Sequence, residues 1–329
     1  MNILVTGGAG YIGSHTVRAL QQAGYTPIIV DNLSRGHVES IPEGVKFYNM
    51  DIADPKLVGI MKEHNILGVM HFAAHSQVGE SMQNPAIYYE NNVVGSYHLI
   101  ESARNAGVKH FVFSSTAAVY GEPEIVPIRE DAPLHPTNVY GRTKLMIEEM
   151  LSDYSSIYGS TYVALRYFNA AGADPSGTIG EDHHPETHLI PLVLDAARGK
   201  REHITVFGTD YDTADGTCVR DYIHVNDLAT AHVLAMDYLR KGGESQVFNL
   251  GSGNGFSVKE IIETAKEVTG IDIPVQYGDR RAGDPGTLIA SSEKIKNLLG
   301  WDPKFSNVAD VIKDAWKWHT SHPDGFKSK

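Results

Sequence analysis

Short apolar runs and helix-length amphipathic stretches alternate through the first half of the chain. Segments 2–6, 26–31, 45–49, 68–72, 110–115 and 162–167 are rich in β-branched or aromatic residues and bounded by Gly, Asp or Asn. Such runs read as strands buried on both faces. Between them, 12–23, 55–64, 91–106 and 140–158 have the length and spacing of helices. Strict alternation of the two predicts an α/β fold with a parallel sheet. Further on, 226–239 and 246–250 read as a helix and a strand that return to this sheet. The rest is richer in Gly, Pro, Asp and His. The expected division is therefore 1–169, with returns near 220–251, and a smaller α/β unit made of 170–219 and 252–329.

Composition narrows the function. Hydrophobic residues make up 42% of 329, enough for a full core and too many for a disordered chain. The net charge is −12, with no basic run, which argues against nucleic acid or an anionic membrane as partner. No window approaches the roughly 18 uninterrupted apolar residues of a membrane span. The lone cysteine, Cys218, rules out an intrachain disulfide and a Cys-rich metal site. Met1 runs directly into the apolar Ile3-Leu4-Val5, so no secretory leader is expected. Together these point to the cytoplasm.

The first strand ends in Thr6 and is followed by Gly7-Gly8-Ala9-Gly10-Tyr11-Ile12-Gly13. Glycines at 7, 10 and 13 between a strand and a helix form a close variant of the dinucleotide fingerprint. They allow a tight turn and bring backbone N–H groups and a helix N-terminus to a pyrophosphate. Asp31 closes the second strand, where a carboxylate accepts both ribose hydroxyls and repels a 2′-phosphate, so NAD is favoured over NADP. Asp51-Ile52, after the third strand, suits the adenine edge. Phe72-Ala73-Ala74, after the fourth, suits a smooth wall for the pyrophosphate and the nicotinamide ribose. Tyr140 and Lys144 stand four apart at the start of a helix, on one face. A phenol of pKa about 10 needs a cationic neighbour to serve as a base near neutrality. Thr116 follows Ser114-Ser115 at a strand end, where ligands sit in open α/β sheets.

These residues, with "VTGGAGYIGSH", "FSSTAAVYG", "YGRTK", "LRYFNAAGA", "GEDHHPETHLIP", "VRDYIHVNDLA" and "RRAGD", resemble the extended short-chain dehydrogenase/reductase family, in its UDP-hexose 4-epimerase branch, nearly end to end. The resemblance implies a Rossmann-type doubly wound sheet with a smaller substrate unit. It implies tightly held NAD and interconversion of UDP-galactose and UDP-glucose by transient oxidation at C4. Tyr140 would act as the base, Lys144 would bridge the nicotinamide ribose and lower the Tyr140 pKa, and Thr116 would hold the 4-oxygen. Tyr11, Ile12, Asn32, Asn91 and Phe168 would join the cofactor contacts. Asn169, His188, Leu189, Thr205, Phe207, Arg220, Arg281, Asp284 and Leu288 would contact the UDP-sugar. A homodimer through helices 91–106 and 140–158 is also implied.

Three positions depart from the family pattern: Ser76 where a lysine is frequent, His188 where an asparagine is, and Leu288 where a tyrosine is. The last predicts a pocket wide enough for UDP-N-acetylglucosamine and UDP-N-acetylgalactosamine. Asp182-His183-His184 with His188 fits no zinc spacing, so no metal is expected. A 4,6-dehydratase or a decarboxylase would carry acid/base carboxylates after the strand-end Thr, whereas Ala117-Ala118 follow Thr116 here. A noncatalytic NAD-sensing protein can lose the Tyr or Lys, and both are intact.

Overall fold

A computed structural model describes residues 1–280 and 285–326. Seven strands form the main sheet: β1 (Asn2–Thr6), β2 (Thr26–Asp31), β3 (Lys46–Asn49), β4 (Ile66–His71), β5 (His110–Ser114), β6 (Thr161–Tyr167) and β7 (Gln246–Leu250). Their order is β3-β2-β1-β4-β5-β6-β7, and every neighbouring pair is parallel. The chain winds outward from β1 to β3, then restarts at β4 and winds the other way. This is the doubly wound α/β arrangement, and its switch point lies between β1 and β4. The expected return of 246–250 to the sheet is observed, as the edge strand beside β6.

Side chains alternate across the sheet because strand periodicity is two. Ile3, Val5, Ile29, Met70, Val112, Val163 and Leu165 enter one buried cluster, with Val17 and Leu20 of α1 (Tyr11–Gln22). Leu4, Ile28, Val30, Val69, Phe111, Phe113 and Ala164 enter the other. That second cluster takes Leu99 from α2 (Gly95–Ala106) and Ile147 and Leu151 from α3 (Val139–Tyr158). The helix α4 (Val225–Arg240) adds Leu228, Ala231, Ala235 and Met236 to the first cluster. Burial on both faces is why the strands read as continuous apolar runs.

The remaining elements form short sheets and a third core. Strand 169–171 pairs with 222–224, strand 204–207 with 275–278, and 219–220 with both 256–257 and 287–288. Helices Leu189–Ala197, Val258–Thr269 and Val308–Ser321 bury Val193, Leu194, Ile261, Ile262, Val311 and Ile312 together. Ile295 and Trp301, although within 252–329, pack on the main sheet's first cluster.

The segment before α2 differs from the sequence reading. Helical structure begins earlier, in Val78–Gln83 and Pro85–Tyr88, and a π-helical turn, Tyr89–Val94, runs into α2. Asn84-Pro85 interrupts the run, since proline removes a backbone donor, which hides its helical character from the pattern.

Candidate active site

A cleft of about 950 Å³ opens at the carboxyl ends of the main strands, at the switch point. Gly7, Gly10, Tyr11, Ile12 and Gly13 line its floor. Gly7 has φ +72°, and a Cβ there would meet the Ala73 backbone N at 2.6 Å. A Cβ at Gly13 would meet the Gly7 carbonyl oxygen at 2.1 Å. The turn is therefore open to a ligand's approach only while it lacks side chains. Among the described residues, α1 starts without a side-chain cap and with no acidic residue in its first turn. Its uncapped amides and positive dipole end suit a pyrophosphate.

Asp31 is buried at the end of β2. Its Oδ2 accepts from the Ala9 amide at 3.0 Å and its Oδ1 from Leu33 at 2.8 Å, which pins the carboxylate beside the glycine turn. Asn32, Asp51 and Ile52 line the same end of the cleft, and Phe72, Ala73, Ala74 and Ser76 the wall beyond β4. Asn32 Nδ2 donates to Asp51 Oδ2 at 3.1 Å. Asn91 reaches the cleft from the π-helical turn. Such turns insert an extra residue and are frequent at functional sites. Its neighbour Asn92, fully buried, bonds the His75 amide and carbonyl and the Thr143 hydroxyl, locking the turn to α3. These residues fit a dinucleotide, with a carboxylate where the adenosine ribose would lie.

The chemical end is built on β5 and α3. Asn138 caps α3 by accepting from the Gly141 amide at 2.8 Å. A Cβ at Gly141 would meet the Ala118 carbonyl oxygen at 2.6 Å, so this glycine lets the helix start press against the 117–120 turn. Tyr140 and Lys144 are thereby brought into the cleft beside Thr116. Ser81 Oγ accepts from the Tyr140 amide at 3.2 Å. Lys144 is 3% exposed, donates to the Ser114 carbonyl at 2.7 Å, and lies 5.9 Å from the centre of the Tyr140 ring.

The charge states differ from the sequence expectation. Burial pushes the Tyr140 phenol up to about 12, against a hydrogen bond from Thr116 that lowers it. Burial draws the Lys144 ammonium down to about 7, against the Glu148 charge that raises it. The expected depression of Tyr140 by Lys144 is absent in the protein alone, because desolvation disfavours both charged forms.

On the substrate side, Phe168, Asn169, His188, Arg220 and Leu288 line the cleft. Leu288 pairs with Arg220 in the short sheet and packs on Ala117, Val119, Tyr120 and Ile128. Asn169 Nδ2 donates to the Asp221 carbonyl at 3.0 Å. Leu189, Thr205 and Phe207 are not among the described residues that line this cleft. Leu189 packs on the third core, while Thr205 and Phe207 lie on the separate 204–207 strand. Arg281 and Asp284 lie outside the described residues.

Several residues that bear on the site were missed in the sequence. Glu148 and Arg166 form a buried bidentate pair behind Lys144, joined by Ser115 and Tyr120. Glu148 follows Lys144 by one helical turn, which is a readable signal; Arg166 sits on another element. Glu181 and Glu186 converge with His183 and His188 at the cleft edge. Burial lowers the His183 pKa, but hydrogen bonds to Glu181 and Glu186 outweigh it and raise it to about 9.

With this geometry in view, the chain belongs to the NAD dependent epimerase/dehydratase family, whose model matches residues 3–251. More particularly, it is 55% identical over 330 residues to the UDP-glucose 4-epimerase of Halalkalibacterium halodurans, covering 100% of this chain and 98% of that one. It is similar to the crystal structure of UDP-glucose 4-epimerase from Brucella ovis in complex with NAD, with TM-score 0.94 and 47% identity over 96% of this chain and 97% of that one. It is also similar to the UDP-Glc/GlcNAc 4-epimerase structure from Campylobacter jejuni, with TM-score 0.86 and 46% identity over 97% and 99%.

Proposed function

We infer that the chain interconverts UDP-galactose and UDP-glucose at the sugar C4 with NAD as its resident cofactor. The observation that carries this reading is one cleft that joins the glycine turn and Asp31 to Tyr140, Lys144 and Thr116. NAD, when bound, supplies reversible oxidation at C4, which acid and base alone cannot achieve at a nonacidic C–H. Gly7, Gly10, Tyr11, Ile12 and Gly13 hold its pyrophosphate, and Asp31 its adenosine ribose. Asn32, Asp51, Ile52, Phe72, Ala73, Ala74, Asn91 and Phe168 complete the cofactor pocket. Tyr140 takes the proton from the 4-hydroxyl and later returns it. Thr116 orients that oxygen. Lys144 holds the nicotinamide ribose. The cation that brings the phenol from about 12 towards neutrality is then supplied by the oxidised cofactor together with Lys144.

Arg220, Asn169 and His188 serve the UDP-sugar, and Arg281 and Asp284 join them by family resemblance. Two arginines suit bidentate recognition of a diphosphate. Leu288 supports a pocket that also takes UDP-N-acetylhexosamines. The division into a cofactor unit, 1–169 with returns near 220–251, and a substrate unit accords with separate core clusters on the main sheet and around Leu189–Ala197.

A cytoplasmic homodimer completes the reading. Among the described residues, no helix is long and apolar enough to cross a membrane. Leu99, Ile147 and Leu151 are consumed by the chain's own core, but Val94, Tyr97, Met146, Ile157 and Tyr158 stay exposed on α2, α3 and the turn before α2. A second copy covering them would make a four-helix contact.

Incubation of the purified protein with UDP-galactose and no added reductant tests the function. Conversion to UDP-glucose, with stoichiometric NAD released on denaturation, is expected. A 4-keto-6-deoxy product would mean a dehydratase, and NAD release without turnover would mean a sensor. Monomeric mass by light scattering would remove the dimer.

A further inference from the structure

The segment at the cleft edge, 181–188, carries four clustered side chains of which the proposed reaction uses only His188. Glu181, His183, Glu186 and His188 each offer one ligand atom, and these atoms all lie within 4.8 Å of one another. His188 Nδ1 is 2.9 Å from Glu181 Oε1 and 2.8 Å from Glu186 Oε1. His183 Nδ1 is 3.1 Å from the same Glu181 oxygen and 3.6 Å from Glu186 Oε2. A ring nitrogen carries at most one hydrogen. Each of these two ring nitrogens therefore shares its hydrogen between two carboxylates, and one Glu181 oxygen is shared by both rings. The four ligand atoms are thus gathered in one small space. Glu181 is 4% exposed, so two carboxylates lie close together largely out of water, an arrangement that calls for positive charge between them; the rings carry it in the protein alone, and a bound cation would take their protons' place.

We propose that Glu181, His183, Glu186 and His188 bind one zinc ion at the edge of the cleft. A tetrahedral ion with N and O ligands at about 2.0–2.2 Å holds its donors roughly 3.3–3.6 Å apart, so the three contacts of 2.8–3.1 Å open by a few tenths of an ångström to admit it, and the fourth, at 3.6 Å, already fits. Two imidazoles with two carboxylates suit zinc, whereas calcium and magnesium take oxygen ligands in larger number. Four protein donors close the coordination sphere, as in structural zinc sites. The ion therefore fastens the segment and does no chemistry on the sugar. Arg35 donates to the His184 carbonyl, Gln77 to the Pro185 carbonyl and Trp318 to the Glu181 carbonyl. Helix Leu189–Ala197 starts at the residue after His188. Zinc thus ties the start of the third core to the wall of the cofactor cleft. The sequence hid this because the two glutamates are irregularly spaced around the histidines, and only the folded loop turns all four inward.

The test uses untagged full-length protein, stripped with a chelator, reloaded with zinc and passed through a desalting column. Wild type is expected to retain roughly one zinc per chain and to melt at higher temperature with zinc than without. The double variant His183→Gln/Glu186→Gln is expected to lose both the retained metal and the thermal shift. Cobalt in the stripped wild type reads the geometry without any variant: strong visible absorption of a four-coordinate site is expected. Wild type that retains no zinc, a double variant that retains as much as wild type, or cobalt with only weak six-coordinate absorption overturns the assignment. Metal content is read independently of turnover, so this result stands apart from that of the epimerase assay.

Discussion

Glu148→Gln removes one charge from the pair that ties α3 to β6, and its cost follows from the geometry. Arg166 donates from Nε to Glu148 Oε1 at 3.0 Å and from Nη2 to Oε2 at 2.5 Å. Ser115 Oγ donates to Oε1 at 2.5 Å. Both charged side chains are almost completely buried. Glutamine keeps the shape but has one acceptor oxygen, and its NH₂ faces a guanidinium. A buried cation is left without its counter-charge, which costs about 3–5 kcal/mol, a large part of a typical total of roughly 5–15 kcal/mol. The same change reaches the site, because the Glu148 charge raises the Lys144 pKa against burial. Without it Lys144 sheds its proton at lower pH, and the limb of the activity profile that needs the ammonium moves down in pH. Urea unfolding followed by fluorescence gives the first quantity, and initial rates of UDP-galactose conversion against pH give the second. Glu148→Leu with Arg166→Met serves as control, since replacing both partners by apolar groups costs far less than orphaning one. A Glu148→Gln protein within about 1 kcal/mol of its parent, with an unmoved pH profile, would refute the reasoning.

Tyr140→Phe removes the acid/base group and leaves the glycine turn intact, so turnover should fall by about 10²–10⁴-fold while denaturation still releases stoichiometric NAD; near-parental turnover would exclude Tyr140 as the base. Leu288→Tyr should lose UDP-N-acetylglucosamine by about 10-fold or more while keeping UDP-galactose, because an added ring overlaps the bulkier ligand first; equal loss of both substrates in competition assays would remove the gate. Burial holds His15, His71 and His232 at about 4, 3 and 4, below the unfolded value of about 6.5. Their contribution to stability is full above that value and is lost as pH falls towards 4 and then 3, at about 1.4 kcal/mol per unit for each proton taken up on unfolding. Urea midpoints should drop steeply between pH 6 and 4, and a flat profile would show these rings already protonated in the fold.

Local signals carried most of the fold and the cofactor end of the site. The strands were legible because both faces are buried, which leaves unbroken apolar runs. The glycine turn was legible because steric demands fix residue type: only glycine fits beside Ala73 or against the Gly7 carbonyl. Tyr140, Lys144 and Thr116 announced themselves by a helical spacing and a strand end. What the sequence withheld depends on contacts between distant segments. Glu148 and Arg166 lie on a helix and a strand, and no periodicity links them. Asn92 matters through bonds to His75 and Thr143. The four side chains around Glu181 sit in a loop, where spacing carries no geometric rule. Leu189, Thr205 and Phe207 came from resemblance alone, and the described cleft does not reach them.

The acid/base content of the cleft follows from one further feature. Ala117 is buried and Ala118 lines the cleft, so neither of the two residues after Thr116 carries an ionisable group. Elimination of water needs separate groups to take a proton from carbon and to give one to the departing oxygen. Inversion at C4 begins and ends with the same hydroxyl, and so one group can take the proton and give it back. In the protein alone Tyr140 is held near 12 and Lys144 near 7, a pairing that keeps the phenol protonated. A cation beside the phenol would reverse this, and bound NAD in its oxidised form would supply one. Under the proposed function, Tyr140 would then take the sugar's proton and later return it. Under that reading, one tyrosine would be sufficient for a reaction that runs in both directions.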